Sequence, residues 1–369
     1  MGGAINLITS ELASTDFRGI SLLPMKPVKI AVIGASGYTG LELLRLILTH
    51  PHAELVCVTS RTNAGRSIGE LFPRFSSAEA ALLKFIEPDA DQVAATGAEV
   101  AFLALPHGVA AGYASSLLEK GLRIVDLSAD FRLDDSLVYK EFYDSAHPAP
   151  ELLAEAVYGL PEVNRDEIKN ARLVAAPGCY PTSVSLPLIP LLREKLIDPA
   201  SIVTCSMSGV SGAGRKADLS LIFCECNESV RAYGLPKHRH LSEIEQELSK
   251  AAREQVVISF TPHLVPTYNG ICTTTSATLT GEPAQVETAL KEAYADEFFV
   301  RLLGSSISVD TKNVTGTNFI DIGWHHDPRT GRVLLLSAED NLGKGAAGQA
   351  IQNFNLMCGF SETDGLQNY

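Results

Sequence analysis

The sequence predicts an α/β protein in two parts, a doubly wound parallel-sheet domain followed by an α+β domain. In the first half, short β-branched runs alternate with segments whose apolar residues recur at helical spacing, a pattern typical of parallel strands joined by crossover helices. In the second half, several strand-like runs alternate apolar residues with polar ones such as threonine, which suits a sheet with helices on one face. The length of 369 residues also favours two domains over one.

The first half begins with a short apolar run that ends at a glycine. Val28–Ile33 is rich in β-branched residues and stops at Gly34, which predicts a buried strand. Apolar residues then return at helical spacing over 41–48, and His50-Pro51 ends that helix. Further strands are predicted over 53–59, 100–105 and 122–127, with a helix over 109–119. Right-handed crossovers between such strands place helices on both faces of a parallel sheet.

The second half has a different order of elements. Strands are predicted over 201–207, 256–260, 271–280, 318–324 and 332–338, with helices over 242–254, 283–298 and 345–357. We expect a first domain over 28–177 and a second over 178–339. Residues 1–27 do not join the first periodic segment, so they form an N-terminal extension, either a transit-peptide remnant or a flexible tail.

The composition excludes several classes of protein. The net charge of −13 argues against a broad nucleic-acid surface, which needs a positive field. No stretch is apolar for long enough to predict a membrane span. The seven cysteines are odd in number and lack the paired spacing of a zinc site. We therefore expect free thiols in a reducing compartment and no bound metal.

A glycine-rich turn joins the first predicted strand to the first predicted helix. It reads Gly34-Ala-Ser-Gly-Tyr-Thr-Gly40, and in this position the N–H groups of a helix start hold a pyrophosphate, as in Rossmann-type domains. The alternative is a tight turn without a ligand. The candidate cofactor-binding residues of the turn are Gly34, Ser36, Gly37, Tyr38, Thr39 and Gly40. Pro106, which follows another predicted strand, is expected at the same edge of the sheet.

The end of the second predicted strand indicates which nicotinamide cofactor is bound. An acid at this place accepts hydrogen bonds from the ribose of NAD, whereas a cation suits the extra phosphate of NADP. The sequence has Ser60 and Arg61 here and no acid, which favours NADP. The alternative is a solvated surface arginine.

Cys179 is the candidate nucleophile. It follows an apolar run and Pro177-Gly178, and Pro181 suits the first turn of a helix. A helix N-terminus stabilises a thiolate, so we expect the pKa of Cys179 to be lowered. Pro187 and Pro190 are expected to bend or split this helix. The alternative is an inert buried cysteine.

Two short segments supply a proton shuttle and cations. Lys237-His-Arg-His240 holds two histidines just before a helix that Ser242 and Glu245 are predicted to cap. Arg215 and Lys216 end a glycine-rich stretch that is either an anion-binding nest or a mobile loop. A cofactor site, a helix-end thiol, a histidine and cations together predict reduction of an activated acyl group through a thioester.

Six motifs resemble those of the N-acetyl-gamma-glutamyl-phosphate reductase family, in the same order along the chain. Besides Gly34-Ala-Ser-Gly-Tyr-Thr-Gly40, they are Leu127-Ser-Ala-Asp-Phe-Arg132, Gly159-Leu-Pro-Glu162, Pro177-Gly-Cys-Tyr-Pro-Thr182, Lys237-His-Arg-His240 and Asp340-Asn-Leu-Gly-Lys-Gly-Ala-Ala-Gly348. The resemblance implies NADPH-dependent reduction of N-acetylglutamyl 5-phosphate to the semialdehyde in arginine synthesis. It also implies a glyceraldehyde-3-phosphate-dehydrogenase-like fold, a first domain completed by residues 340–369, and a homo-oligomer, either dimer or tetramer.

The resemblance also assigns expected roles to single residues. Cys179 is the acylated nucleophile and His240 the favoured acid/base, with His238 sharing that task or binding substrate. Asn341 lies near the nicotinamide, and substrate anions are bound by Arg215, Lys216 and Lys237. Ser128 and Arg132 belong to a motif near the crevice without a derived role. The N-terminal extension suggests a plastid form, with the cytoplasm as the alternative.

Three alternative functions remain open at this stage. A related acyl-phosphate reductase acts on aspartyl phosphate or on N-acetyl-aminoadipyl phosphate by the same chemistry. The Lys237-His-Arg-His240 motif favours the glutamyl enzyme over the aspartyl one, but separates it poorly from the aminoadipyl homologue. A non-catalytic NADP-binding sensor is disfavoured because Cys179 and both histidines are present.

Overall fold

Two seven-stranded sheets organise residues 26–367, which are the residues that the computed structural model describes. The predicted N-terminal extension lies outside the described residues up to residue 25. The strands of the first sheet are β1 (Val28–Ile33), β2 (Ala53–Thr59), β3 (Phe85–Ile86), β4 (Val100–Leu103), β5 (Arg123–Asp126), β6 (Val157–Tyr158) and β7 (Leu173–Ala175). Those of the second are β8 (Val203–Ser208), β9 (Arg231–Ala232), β10 (Ser259–Leu264), β11 (Ile271–Thr278), β12 (Val300–Gly304), β13 (Ile320–Asp327) and β14 (Arg332–Glu339).

Helices connect these strands and cover the sheets. They are α1 (Tyr38–Ile47), α2 (Ile68–Leu71), α3 (Ala90–Ala95), α4 (Ala110–Glu119), α5 (Ser136–Tyr143), α6 (Pro161–Asn170), α7 (Cys179–Arg193), α8 (Phe223–Cys226), α9 (His240–Ala252), α10 (Pro283–Tyr294) and α11 (Gly348–Cys358). A π-helical turn over Gly343–Ala347 leads into α11. No helix among the described residues is long and apolar enough to span a membrane.

The first sheet is wholly parallel, as predicted. Its order is β3-β2-β1-β4-β5-β7-β6. The chain moves outward from β1 in one direction and then returns to continue from β4 in the other. The carboxyl ends of β1 and β4 therefore flank the crevice in which sheets of this type bind ligands.

Alternating side chains of β1 enter two different hydrophobic clusters. Ile30 and Val32 pack with residues of α1 and α11 on one face, and Ala31 and Ile33 pack with α4 on the other. Phe354 of α11 lies in the first of these clusters, with its ring centroid 5.8 Å from that of Phe102. The C-terminal helix thus packs against the first sheet, far along the chain from its strands.

The second sheet is mixed and has the order β12-β13-β14-β11-β8-β10-β9. Its inner face packs against α7, α9 and α10. On the outer face, Val203 and Met207 of β8 are 50% and 47% exposed, although the intervening Thr204 and Ser206 are buried. The expectation of one covered face is therefore confirmed, and the outer face is partly apolar.

Helix α7 differs from its prediction because it continues unbroken through Pro187 and Pro190. Proline at these positions leaves the carbonyl oxygens of Ser183 and Leu186 without helical N–H partners. The hydroxyl groups of Ser337 and Tyr294 donate hydrogen bonds to these two oxygens. The expectation that the prolines split the helix is wrong because tertiary contacts replace the missing hydrogen bonds.

Helix α9 begins earlier than predicted. It starts at His240 rather than at Ser242, and the Ser242 hydroxyl donates to the carbonyl oxygen of Arg239 over 2.9 Å. Glu245 accepts from the backbone N–H of Ile258 over 3.1 Å, so it forms no capping box. As a result, His240 belongs to the first helical turn.

Candidate active site

The glycine-rich turn between β1 and α1 is shaped by close backbone packing. Gly34 has φ +87°, and a Cβ there would lie 2.3 Å from the carbonyl oxygen of Ala104. A Cβ on Gly40 would lie 2.6 Å from the Cα of Ala35. Both positions therefore require glycine, because a side chain would collide with backbone.

The same turn leaves an open approach to the helix start. A Cβ on Gly37 would have only the carbonyl oxygen of Gly34 within 4 Å, at 3.8 Å. The N–H groups of Tyr38, Thr39 and Gly40 begin α1 and have no intrahelical acceptors. Free N–H groups beside an open glycine form an anion-binding site.

Ser60 and Arg61 lie at the carboxyl end of β2, next to this turn. The Ser60 hydroxyl lies 3.0 Å from that of Ser36, which ties the two segments together. Ser60 is buried, whereas Arg61 is exposed. Pro106 is also exposed, beyond the carboxyl end of β4. These residues therefore border the crevice predicted from the order of strands.

Cys179 is the first residue of α7, and two glycines allow other segments to pack against it. A Cβ on Gly178, the preceding residue, would lie 2.7 Å from Nε2 of His240 and 2.9 Å from Nη1 of Arg132. A Cβ on Gly345 would lie 2.8 Å from the Cβ of Cys179. The absence of these two side chains lets His240 and the turn before α11 approach the thiol.

The surroundings of Cys179 hold its thiol in the protonated form. Burial and the negative charge of Glu339 raise its pKa to about 12, against the opposing effects of Arg132 and the Tyr180 backbone N–H. The sequence-based expectation of a lowered pKa is therefore wrong, because burial outweighs the helix N-terminus. A neutral thiol needs a base to become a nucleophile.

His240 is the nearest candidate for that base. Burial, His238 and Arg132 lower its pKa well below the usual 6.5, so its imidazole is neutral and able to accept a proton. Its Nε2 lies against Gly178, and its Nδ1 has no hydrogen-bond partner among the described residues. The neutral ring therefore lies against the residue before Cys179 and keeps one nitrogen without a partner among the described residues.

His238 occupies a different position. Its Nδ1 accepts the backbone N–H of His240 over 3.1 Å, and its ring lies edge-on to Tyr180 and Tyr233. Burial, with the charge of Arg239, lowers its pKa to about 4. The resemblance favoured His240 as the acid/base, and in the structure it is His240 that lies against the residue before Cys179.

A cavity of about 300 Å³ opens beside the thiol. Its lining includes Cys179, both histidines, Arg231 and Arg239. The sequence did not single out Arg231, and it treated Arg239 only as part of a motif. Arg231 begins the two-residue strand β9, and no local pattern distinguishes it from a surface arginine.

The cations selected from the sequence have other partners. Lys237 Nζ lies 2.8 Å from Oε1 of Glu141, and Lys216 Nζ lies 3.0 Å from Oδ2 of Asp218. Arg215 donates to the carbonyl oxygen of Ser36 over 3.1 Å. Arg215 thus links the loop after β8 to the glycine-rich turn over residues 34–40, which is called the phosphate turn below, and neither lysine is among the residues that line the cavity.

A buried network fixes the turn that precedes the nucleophile. Arg132 donates from Nε to the carbonyl oxygen of Ala176 over 2.8 Å, and its Nη1 lies 3.4 Å from Glu243 Oε2. The other oxygen of Glu243 accepts from the Gly178 N–H over 2.9 Å and the Tyr158 hydroxyl over 2.7 Å. These contacts give Arg132 a structural explanation that the motif alone did not supply.

Ser128 belongs to a second network, at the crevice edge. Its hydroxyl donates to Asp126 over 2.7 Å and accepts the Asp130 N–H over 3.0 Å. The Asp130 carboxylate then accepts the N–H groups of Gly108 and Ala111, over 2.6 and 3.0 Å. Ser128 therefore helps to hold Asp130 in position, and the carboxylate of Asp130 binds the loop that follows β4.

The segment before α11 approaches the site through its backbone. The Asn341 side chain accepts the Gly270 N–H and donates to Ser211, each over 2.8 Å. Lys344 is fully buried, with Nζ 2.6 Å from Glu162 and 2.7 Å from Gln352. These bonds hold the turn in place, and Lys344 is directed toward Glu162.

No metal-binding group of three acidic, cysteine or histidine side chains occurs in residues 26–367.

Two family models match the chain. The NAD binding domain of semialdehyde dehydrogenase matches residues 29–171, and its dimerisation domain matches residues 179–341. Among solved structures, aspartate semialdehyde dehydrogenase II from Vibrio cholerae aligns with a TM-score of 0.68 and 16% identity, over 90% of this chain and 99% of that one. The NADP-bound enzyme from Candida albicans aligns with a TM-score of 0.66, also at 16% identity, over 90% and 99%. The fold is therefore that of a semialdehyde dehydrogenase, which confirms the predicted doubly wound domain followed by an α+β domain.

Curated relatives define the family more narrowly. The N-acetyl-gamma-glutamyl-phosphate reductase of Akkermansia muciniphila is 62% identical over 93% of this chain and 99% of its own length. That of Geobacter metallireducens is 50% identical over 92% and 98%. The chain belongs to the N-acetyl-gamma-glutamyl-phosphate reductase family, which confirms the resemblance seen in the six motifs.

Proposed function

We propose that this chain reduces N-acetylglutamyl 5-phosphate to N-acetylglutamate 5-semialdehyde with NADPH, in arginine biosynthesis, through a thioester on Cys179. The observation that carries this proposal is the position of Cys179 at a helix start, with a neutral His240 against the preceding residue. The similarity to N-acetyl-gamma-glutamyl-phosphate reductases supports the choice of substrate.

The site residues have distinct tasks in this reaction. His240 accepts the proton of Cys179, the sulfur attacks the acyl carbon, and inorganic phosphate leaves to form the thioester. NADPH, when bound, supplies the hydride that reduces the thioester carbon. The carbon–sulfur bond then breaks, the aldehyde departs, and His240 returns the proton to sulfur. Arg132 and Glu243 keep the turn before Cys179 in position throughout.

The residues of the crevice fit NADP. Gly37 leaves room for a pyrophosphate at the start of α1, and Ser36 and Ser60 lie together beside it. Arg61 is exposed at the end of β2, where a cation suits the 2′-phosphate of NADP. The proposed cofactor site also keeps four residues selected from the sequence, which are Tyr38, Thr39, Pro106 and Asn341.

For the substrate anions we propose Arg231 and Arg239, because both line the cavity that contains Cys179. Arg215 donates a hydrogen bond to Ser36 of the phosphate turn from the loop after β8, and its role in binding the substrate stays a prediction. The roles of Lys216 and Lys237 stay predictions, since each is paired with a carboxylate on the surface.

The assembly proposed is a homo-oligomer built on the second domain, from about residue 178 to 339. Two observations support it: the family model for residues 179–341 describes a dimerisation domain, and the outer face of the second sheet exposes Val203 and Met207. Light scattering of the purified protein tests this. We propose the cytoplasm rather than a plastid, because the two relatives named above, from Akkermansia muciniphila and Geobacter metallireducens, are bacterial proteins.

The reverse reaction tests the function most directly. N-acetylglutamate 5-semialdehyde and NADP are supplied with and without inorganic phosphate, and NADPH is measured by absorbance. The expected result is NADPH formation that requires phosphate. Phosphate-independent formation, or a clear preference for N-acetylaminoadipate semialdehyde or aspartate semialdehyde, contradicts the proposal.

A further inference from the structure

Glu339 is a buried carboxyl group whose oxygens have no hydrogen-bond partner in the part of the chain that the structure describes. It is the last residue of β14 and is 0% exposed. Neither of its side-chain oxygens has a hydrogen-bond partner within residues 26–367. An ionised carboxylate in such a place is costly unless it is paired, so this position requires an explanation.

The carboxyl group faces the nucleophile across a glycine. A Cβ on Gly345 would lie 3.0 Å from Glu339 Oε1 and 2.8 Å from the Cβ of Cys179. Both side chains therefore reach the place that a side chain at position 345 would occupy, and the glycine leaves that place open to them.

The charged groups whose effects on Glu339 are resolved already have other hydrogen-bond partners. Lys344 is paired with Glu162 over 2.6 Å and also donates to Gln352. The carboxylate of Asp340 already accepts the N–H groups of Gly316 and Leu342 over 2.6 and 2.8 Å. Burial therefore raises the pKa of Glu339 well above its usual value, and Asp340 and Glu162 add to this while Lys344 opposes it.

We propose that Glu339 is a positioning residue that controls the ionisation of Cys179, and that the thiolate forms only while Glu339 is uncharged. The inference rests on the proposed function, in which Cys179 is the nucleophile. A protonated carboxyl beside the sulfur adds no charge, whereas an ionised one repels the thiolate in a site of low dielectric constant. The reductase would then lose activity at alkaline pH, where an isolated cysteine becomes more reactive.

The test compares Glu339→Gln with the wild-type enzyme. Alkylation of Cys179 by iodoacetamide is followed by peptide mass spectrometry across the pH range, in parallel with turnover. Near pH 7 the two proteins are expected to react at similar rates. At alkaline pH the variant is expected to be alkylated about tenfold faster, which corresponds to a change of about one unit in the pKa of the thiol, and to keep the turnover that the wild-type enzyme loses.

Glu245→Gln is the matched control. Burial raises the pKa of Glu245 as it does that of Glu339, although Glu245 is only partly buried. Glu245 is not among the groups with the largest effects on the pKa of Cys179. Its profile should follow that of the wild type. Profiles of Glu339→Gln and wild type that coincide at every pH overturn the proposal.

Two further variants keep the outcome decisive. If Glu339→Gln does not fold, Glu339→Met is used instead, because it also removes the charge. The same alkylation profile is then measured on that variant. Cys179→Ser tests the nucleophile independently. Turnover retained in Cys179→Ser contradicts the proposed function, whereas an unchanged alkylation profile in the Glu339 variants contradicts only the role of Glu339.

Discussion

The phosphate turn and the turn before the nucleophile are built alike but behave differently. In each, a buried parallel strand leads to a helix whose N-cap residue is a glycine, Gly37 or Gly178. Because glycine has no side chain, neither helix start is capped by its N-cap residue. Gly37 faces open space, whereas Gly178 is enclosed by His240 and Arg132. The first turn is suited to a charged phosphate, and the second keeps its thiol neutral. The helix N-terminus is common to both, so the surroundings decide whether an anion is stable there.

The largest effect is expected from Cys179→Ser. A serine hydroxyl is a much weaker nucleophile than a thiol at this position, so turnover should fall by about 10³-fold or more. Since the phosphate turn is separate, NADPH binding should be unchanged when measured by fluorescence titration. A parallel loss of NADPH binding would show that the two turns are not independent.

Alanine substitution at the two glycines tests the comparison itself. In Gly178→Ala the new Cβ displaces His240 and Arg132, so kcat should fall by about 10²-fold while NADPH affinity remains. In Gly37→Ala the Cβ meets only open space in the protein, so the expected result is weaker NADPH binding with a small change in kcat. Steady-state kinetics separate these outcomes, and equal effects on kcat would remove the distinction between the turns.

The pH dependence sharpens the description of the nucleophile turn. Only neutral His240 accepts a proton, and its pKa is lowered well below 6.5. The acid limb of kcat/KM should therefore lie below pH 6.5. Because the unfolded chain takes up this proton at higher pH than the folded protein, stability should be fully present above 6.5 and decrease as the pH falls below it. An acid limb at or above pH 6.5 would contradict His240 as the base.

The smallest effect is expected from Arg61→Asp at the edge of the phosphate turn. Loss of an exposed cation and gain of an acid should shift the preference from NADP toward NAD by about tenfold to a hundredfold, mainly in KM. The ratio of kcat/KM for the two cofactors measures this. Arg66→Asp, on the same loop but hydrogen-bonded to Asn63 and to the Glu70 carbonyl, is the control and should leave the ratio unchanged.

Local patterns predicted the strands and helix starts that depend on neighbouring residues. β1 and β2 have the predicted bounds, because short β-branched runs between turns have few other ways to fold. The glycine turn and the position of Cys179 at a helix start were also visible, since each depends on a few adjacent residues. The continuity of α7 was not, because the partners of its free carbonyl oxygens, Ser337 and Tyr294, lie more than a hundred residues away.

The candidate site shows the same division. Cys179, His238 and His240 were selected from the sequence, but the different surroundings of the two histidines came from the structure, in which His240 lies against Gly178 and His238 against Tyr233. Arg231 was missed, and Lys216 and Lys237 were preferred over it. Which of several cations faces a cavity depends on how distant segments pack, and charge alone does not reveal it.

The sequence by itself determined the parallel sheet, the glycine-rich phosphate turn, the position of the candidate nucleophile at a helix start and the family to which the chain belongs, because each is encoded in short runs of adjacent residues. Only the tertiary structure decided the protonation of the thiol. That property depends on Glu339, Arg132 and Glu243, which approach Cys179 from three separate segments, and on burial that no local pattern contains. A pKa is set by everything that surrounds a group in space, and most of those neighbours are far away along the chain.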